Sequence, residues 1–534
     1  MFMKFKNDRL IVITLFAIIV LAAGLRFYKL GQVPPSISWD EAAVGYNAWT
    51  ITQSGRDEWG NFLPLTFKSF EDDKHPVHIY LTAISVGILG PSDFSVRMPA
   101  ALFGIFNVIL LFLLGKELFN KWTGLLAALF LAVSPYNIHF SHFNHELNFT
   151  IFFFLLGLWL FFKGIQGRKN FLPLSFLSFG ITLISYHSAK IVVPAIVLLL
   201  VALYFQNLIK IKRQFLISLA ILGFFAMLFF LNPALLGFAR ARQTSFSEDD
   251  IKKTEIYNGT RNEALGRLEI VGRQYMSHFN PQYLFISGDK NPRLSSQSNG
   301  EFYKIDALLL ITGCLALLWK KNKVSALLLS WVLLAPIPAS LVNEAPHASR
   351  AMFMTGSWHL ISAFGFFTLF SLIKRLKIHW VFLAITLGVI AYELQGYLRY
   401  YYGEYGIRYA IEWQYGMEQV VDYLKDHDGY FQAYMTDARS QPYVFFLFYL
   451  RQPLDTFLSS VWYNETQSRS YNLIYAFDKY HFGIGKVAEI KPNPGVLYVL
   501  TPSEYDGIRK DVFSVKKIIR YPNGTDAFFL VSYP

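Results

Sequence analysis

A single cysteine, Cys314, stands in 534 residues, so a disulfide within the chain and a thiolate metal site are both excluded. It lies inside an apolar run and carries no signal of redox compartment. Charge is also scarce: 16% of residues are charged, against roughly 25% in a soluble domain. There is no P-loop, dinucleotide fingerprint or G-x-S-x-G element, which removes a nucleotide cofactor of those kinds. No internal repeat is present. What is abundant is apolar, with 53% hydrophobic and 17% aromatic residues and a mean hydropathy of +0.32. This is the composition of a polytopic membrane protein. A net charge of +12 would suggest nucleic acid in a soluble chain. Here the basic residues sit in short turns between apolar runs, and no aromatic motif for stacking bases accompanies them, so no nucleic-acid partner is expected.

A span needs about 20 apolar residues. Such segments lie near 9–28, 95–116, 122–138, 148–163, 170–187, 189–207, 214–231, 304–319, 324–342, 351–373 and 378–397, about eleven transmembrane helices. The N-terminal run resembles a signal peptide but has no A-x-A-like end, which favours an uncleaved first helix. Residues 77–90 are apolar but too short to cross, and read as a juxtamembrane or re-entrant helix. With that assignment Lys116 and Lys121; Lys163, Arg168 and Lys169; Lys210, Lys212 and Arg213; Lys320, Lys321 and Lys323; and Lys374, Arg375 and Lys377 all fall on the side of Lys4, Lys6 and Arg9. That is the asymmetry the positive-inside rule demands. The polar, acid-bearing loops are then external. From about Tyr400 the pattern becomes soluble-like: EWQYGMEQVVDYLKDH has helical spacing, and GVLYVLT and AFFLVSY read as strands. The expected organisation is a transmembrane module over 1–399, with external loops 29–94 and 232–303, followed by a small external α/β domain over 400–534.

The charged chemistry is concentrated in residues 36–76. Asp40-Glu41 follows Ile37-Ser38-Trp39 and opens a helix. One acid can cap that helix; the other can act as a general base toward an acceptor hydroxyl. Glu71-Asp72-Asp73-Lys74-His75-Pro76 precedes the juxtamembrane helix and is either a solvated charge run or a working one. In the working case Lys74 offers a point charge for a phosphate, and Asp73 orients it or shares a divalent metal. Arg97, near the outer end of a span, either snorkels to the interface or holds a lipid phosphate. His145 and Glu146 at the next external turn, and His347 and Arg350 in PHASR at another, repeat the theme of ionisable groups where a span begins. His139, His142 and His145 would form a stripe if helical, though without a Cys/His metal signature. On one membrane face these groups supply acids for an acceptor and cations for a phosphate.

The motifs WDEAAVGYNAW, DDKHPVHIYLTAI, FSVRMPAALFGIFNVILLFLLGKELF and LLAALFLAVSPYNIHFSHFNHELNFTIFFF, in this order, resemble the glycosyltransferase C superfamily. The likeness is to relatives of protein O-mannosyltransferases and of the lipid A aminoarabinose transferase. It covers roughly residues 25–190, extends loosely to PIPASLVNEAPHASRA, and leaves the tail aside. It implies transfer of a sugar from a polyprenyl-phosphate donor to a protein, lipid or glycan hydroxyl at the outer face of the plasma membrane, with inversion. Under it Asp40 matches the catalytic acid and Glu41 its acidic neighbour. Lys74 and Arg97 match cations near the donor phosphate, and His347 and Arg350 resemble a phosphate-side element. Asp73, His145 and Glu146 are supporting acids or candidate ligands for a divalent cation, whose use varies within the superfamily. Two other classes compete: a lipid-linked glycan transporter or flippase, and a non-catalytic envelope assembly protein. A transporter would place its ionisable residues near mid-membrane on broken helices, whereas here they sit at span ends.

Overall fold

The computed structural model describes residues 8–70, 72–237, 244–464, 473–490 and 492–533; Lys4, Lys6 and Glu71 lie outside them. The chain divides into two compact units, Met1–Tyr28 with Ala100–Tyr400, and Lys29–Pro99 with Tyr401–Pro534.

The first unit is helical. Across the described residues of the whole chain, eight helices are long and apolar enough to cross a membrane: Asp8–Phe27, Asp93–Leu118, Leu147–Ile165, Ala189–Ile209, Lys212–Leu231, Lys323–Ser340, Met354–Ile373 and His379–Arg408. The remaining three of the eleven expected spans are helices that end early. Lys121–Val133 and Phe171–Leu183 have 13 residues each and Lys304–Lys320 has 17. At about 1.5 Å per residue the first two reach roughly 20 Å, short of a hydrocarbon core of about 30 Å. The first stops because Ser134-Pro135 starts a new short helix, Pro135–His139, capped by the Ser134 side chain. Apolar composition continues through that break, so hydropathy alone overestimates the helix. Small residues allow the helices to approach closely: a Cβ on Gly365 would lie 2.0 Å from the Leu309 carbonyl oxygen, and one on Gly115 2.8 Å from the Gly124 Cα.

The basic turns gather at one end of this unit. Lys163 pairs with Glu117 and Lys121 with Asp8. The Lys320 ammonium lies over Phe119 and Phe364, 5.8 and 5.4 Å from the ring centres, and that of Lys323 lies 5.0 Å from Tyr204. The segment between Thr244 and Tyr303 holds the helices Glu248–Lys252, Glu255–Thr260 and Glu263–Ser277, followed by a turn-rich stretch.

The second unit is built on a hairpin and a sheet. Strands β1 (Phe67–Ser69) and β2 (Asp72–Lys74) pair antiparallel. Strands β3 (Gln432–Met435), β4 (Trp462–Tyr463), β5 (Ile474–Phe477), β6 (Tyr480–Phe482), β7 (Val496–Leu500), β8 (Ser514–Arg520) and β9 (Asp526–Ser532) form one mixed sheet in the order β4-β5-β6-β3-β7-β9-β8. β3 runs parallel to both β6 and β7, and the outer pairings are antiparallel. The helices Trp39–Ser54, Pro76–Leu89, Met417–Asp426 and Pro442–Leu450 belong to the same unit. A single core joins Ala43, Tyr46 and Val86 to Val420, Phe446, Val499 and Leu530. The loop after the first span and the C-terminal stretch therefore share one hydrophobic interior. Gly45 is required there: a Cβ at that position would lie 2.5 Å from the Phe448 ring.

Candidate active site

Residues 36–41 show how two adjacent acids acquire different tasks. Ser38 is the N-cap of the helix Trp39–Ser54; its hydroxyl accepts from the Glu41 amide at 3.3 Å, and the Glu41 carboxylate accepts from the Ser38 amide at 3.0 Å. This reciprocal capping box uses Glu41. Each helical residue advances about 100° around the axis, so Asp40 points elsewhere. Its carboxylate bonds the Lys74 ammonium at 2.5 Å. The Asp40 side chain is 45% exposed and that of Lys74 13%. Lys74 closes β2, and its ammonium also lies 5.7 Å from the Phe70 ring centre.

Glu41 and Arg97, expected as a second catalytic acid and a phosphate-holding cation, form a pair with both side chains 0% exposed. The Arg97 Nε donates to Glu41 Oε1 at 2.9 Å and Nη2 to Oε2 at 3.3 Å. Nη1 donates to the carbonyls of Leu30 and Pro34 at 3.3 and 2.9 Å, and Nη2 to that of Ser36 at 2.6 Å. A guanidinium has five N–H donors, and these five bonds occupy them. Arg97 thus fastens residues 30–36 to the helix N-terminus, with no donor left over for a ligand.

Asp73 sits one residue before Lys74, paired in register with Lys68. Burial, reinforced by neighbouring Asp72, raises its carboxyl above the usual range. Glu58 is fully buried in the same unit; its Oε2 accepts from Asn47 Nδ2 at 2.9 Å, and its amide donates to Asn47 Oδ1 at 2.9 Å. Burial pushes this carboxyl up to about 8. Nothing in the charged loop Arg56-Asp57-Glu58-Trp59 marks it as interior; its partner Asn47, two helical turns into Trp39–Ser54, is the nearest signal.

The other candidates lie in the first unit, and the structure brings them together there. His145 Nδ1 is 3.5 Å from Glu146 Oε2, and its ring centre is 5.7 Å from that of Tyr186. The Tyr186 and Ser349 hydroxyls are 3.3 Å apart, as are Ser349 Oγ and His347 Nδ1. Arg350 donates to the Asn343 carbonyl at 2.7 Å and lies 3.6 Å from Glu344. Three residues of this cluster are new. Asp289 accepts from the Ala348 amide at 2.7 Å, Glu301 accepts from the Asp289 amide at 3.0 Å, and His278 Nε2 accepts from the His347 amide at 3.2 Å. Burial raises Asp289 to about 6 and lowers His278 to about 4. The histidines at 139 and 142 are engaged with the backbone, His139 Nε2 with the Arg293 carbonyl at 2.9 Å and His142 Nδ1 with that of Ile138 at 2.9 Å. Among the described residues no three His, Cys, Asp or Glu side chains group to hold a metal ion.

Residues 73–231 match the family model described as dolichyl-phosphate-mannose-protein mannosyltransferase. That stretch includes Lys74, Arg97 and Glu146 and begins after Asp40. A Bacillus subtilis protein named as a candidate mannosyltransferase, YkcB, is 29% identical over 180 residues, 33% of this chain and 24% of its own length. A second one, YycA, is 29% identical over 211 residues, 39% of this chain and 30% of its own. The chain therefore matches about a quarter to a third of the length of these curated relatives. Among solved structures, ArnT from Cupriavidus metallidurans superposes with a TM-score of 0.55 at 12% identity, covering 97% of both chains. The Archaeoglobus fulgidus oligosaccharyltransferase, tethered to an acceptor peptide, gives 0.54 at 13% identity over 98% of this chain and 74% of its own. Over residues 73–231 the chain is similar to this mannosyltransferase family, and it shares the fold of ArnT. ArnT has also been crystallised with undecaprenyl phosphate, and that structure superposes with a TM-score of 0.53 at 12% identity over 97% of both chains. At such identity these likenesses concern the fold, and the family match ends at residue 231.

Proposed function

We propose that the protein is an integral membrane glycosyltransferase that moves a sugar from a polyprenyl-phosphate donor to an acceptor hydroxyl. The observation that carries this reading is the half-exposed Asp40 carboxylate at a helix start, bonded at 2.5 Å to a Lys74 whose stem is buried. A base must reach its substrate, and a phosphate-binding cation must be held in place. Asp40 and Lys74 meet both conditions. The match of residues 73–231 to a mannosyltransferase family, and the lipid-phosphate ligand of the neighbour ArnT, support a lipid-linked donor.

In the proposed reaction Asp40 takes the proton of the acceptor hydroxyl. The acceptor oxygen bonds to the anomeric carbon from the side opposite the phosphate, the bond from that carbon to the phosphate oxygen breaks, and the polyprenyl phosphate leaves with the bonding pair. Attack from the opposite side inverts the anomeric centre. Lys74 neutralises the charge that grows on the leaving phosphate. Glu41 and Arg97 take the part of a structural clasp under the catalytic turn. His347 and Arg350 belong to the other unit, in a cluster held in shape by Asp289 and His278. The gathering of basic turns at one end of the helical unit supports a cytoplasmic placement for that end. The reaction then takes place on the outer face of the plasma membrane.

The test is transfer or release of sugar from radiolabelled polyprenyl-phosphate hexoses by purified full-length protein, wild type against Asp40→Asn. Turnover by wild type and none by the variant is expected. Equal turnover by both would remove Asp40 from the mechanism, and none by wild type with several sugars and acceptors would remove the activity.

A further inference from the structure

Glu58 has no part in the chemistry just described, yet its surroundings converge on the Asp40–Lys74 pair. Two elements of the second unit hold its carboxyl, and a third, the hairpin, packs against one of them. From the helix Trp39–Ser54, Asn47 grips it twice, through Oε2 and through its amide, at 2.9 Å each. From the helix Pro442–Leu450, the Tyr443 hydroxyl reaches Oε1 at 3.5 Å. From the hairpin, the Phe70 ring packs edge-on to Tyr443 with centres 6.3 Å apart, and the Lys74 ammonium lies over that same ring. A buried carboxyl with one good side-chain donor and one long one is under-solvated. Such a group either keeps its proton or draws on a cation in reach, and the Lys74 charge acts on Glu58.

We infer that Glu58 is a positioning residue for the Lys74–Asp40 pair: held by Asn47 and Tyr443, it sets how much of the Lys74 charge is left for Asp40 and for the donor phosphate. The inference rests on the functional reading above. With Glu58 neutral, Lys74 serves Asp40 and an incoming phosphate. With Glu58 ionised, Lys74 is shared between two carboxylates and its hold on a third anion weakens. The remaining groups that face Glu58 push the same way or are silent. Asp57 beside it disfavours ionisation, and Tyr46 and Tyr463, which feel its charge, stay neutral because burial raises their hydroxyls. Burial places the transition at about 8. An acid with a raised value is neutral below it and charged above it, so the productive arrangement exists below about pH 8 and fades as pH rises through it.

The experiment has one arm that needs no turnover. Full-length wild type and Glu58→Gln, in detergent, are labelled with acetic anhydride at about pH 9, and Lys74 acylation is read by mass spectrometry with Lys68 as internal reference. The glutamine keeps the Asn47 contacts and removes the second anion. The Lys74 to Lys68 ratio is expected to rise several-fold in the variant, because an ammonium with one carboxylate neighbour gives up its proton more readily than one with two. Equal ratios overturn the inference, whether or not the protein is a transferase. In the second arm, the KM for polyprenyl-phosphate hexose in wild type is expected to rise above about pH 8, and this alkaline limb to move upward in Glu58→Gln while kcat at neutral pH holds. A limb that stays in place also overturns it, since a merely structural role would not couple donor binding to that titration. Should Glu58→Gln fail to fold, Tyr443→Phe removes a donor that favours the charged form, and the same upward shift is required of it. Absence of all transfer by wild type would instead strike the functional reading and leave the labelling result to decide Glu58.

Discussion

Asp40 and Glu41 are neighbours in sequence with the same charge, and each has a cation partner, Lys74 and Arg97. One pair is 45% and 13% exposed; the other is 0% and 0%. In the proposed function the first pair serves chemistry, whereas the burial of the second suits architecture. A half-exposed carboxylate such as Asp40 is screened by water, so its pair with Lys74 contributes less to stability than its contact alone suggests, and the same exposure leaves room for a substrate. A buried pair carries a large desolvation cost that only saturated hydrogen bonding offsets. Arg97 shows that saturation, with two bonds to Glu41 and three to backbone carbonyls.

The largest effect is expected where exposure meets chemistry. Asp40→Asn should lower the transfer rate by about 10²–10⁴-fold, the usual contribution of a positioned base, with an unchanged thermal midpoint. A variant that loses activity and stability together would place Asp40 with the architecture instead. Arg97→Met should do the reverse, lowering unfolding stability by about 3–5 kcal/mol because the buried Glu41 carboxylate loses its guanidinium. Denaturant or thermal unfolding in detergent checks it, and activity per folded molecule should hold. The double change Glu41→Gln with Arg97→Met should restore only part of that loss. It removes the buried charge but still strands the carbonyls of Leu30, Pro34 and Ser36; full rescue would show that those bonds contribute nothing.

Lys74→Gln comes next, with an expected loss of about 10²–10³-fold in turnover, the scale found for single groups that stabilise a developing negative charge. Lys74→Arg keeps the charge but replaces a point with a planar fork, and should recover donor binding better than rate. If Lys74→Gln and Lys74→Arg fall equally, the residue serves through shape rather than charge.

Apolar run lengths and the positive turns made the membrane class and the helical order legible from the sequence, because hydropathy and charge asymmetry are properties of composition. Asp40 and Lys74 were legible as charged groups of the WDE and DDKHP motifs, and the structure pairs them at 2.5 Å, while their roles are a proposal. Three things were not. Helix ends inside apolar runs, as at Ser134-Pro135, depend on capping and a single proline rather than on hydropathy. The common core of residues 29–99 and the tail depends on long-range packing, as between Tyr46 and the Gln452 carbonyl at 3.0 Å, and local periodicity is blind to it. The inward turn of Glu41, Arg97 and Glu58 depends on burial, and a charged letter carries no mark of whether water will reach it.

Asp289 extends the comparison to an acid that is buried and forms no salt bridge among the described residues. Its partners are the amides of Ala348 and Asn291 at 2.7 and 2.8 Å, with Arg350 acting on it more weakly and Glu344 against it. Burial raises it to about 6. A raised acid binds its proton more tightly in the folded state, so its stabilisation is complete below the unfolded value near 4 and is lost as pH rises through about 6. The shift corresponds to roughly 2–3 kcal/mol. Asp289→Asn keeps an oxygen for the two amides and cannot ionise. The midpoint difference, variant minus wild type, should therefore grow in favour of the variant between about pH 4 and pH 7 and stay level above. Parallel curves across that range would mean that Asp289 is ionised throughout, held by Arg350 more firmly than the geometry allows. In that case the segment His347–Arg350 would be shaped by a true ion pair, like Glu41 and Arg97, and not by backbone amides.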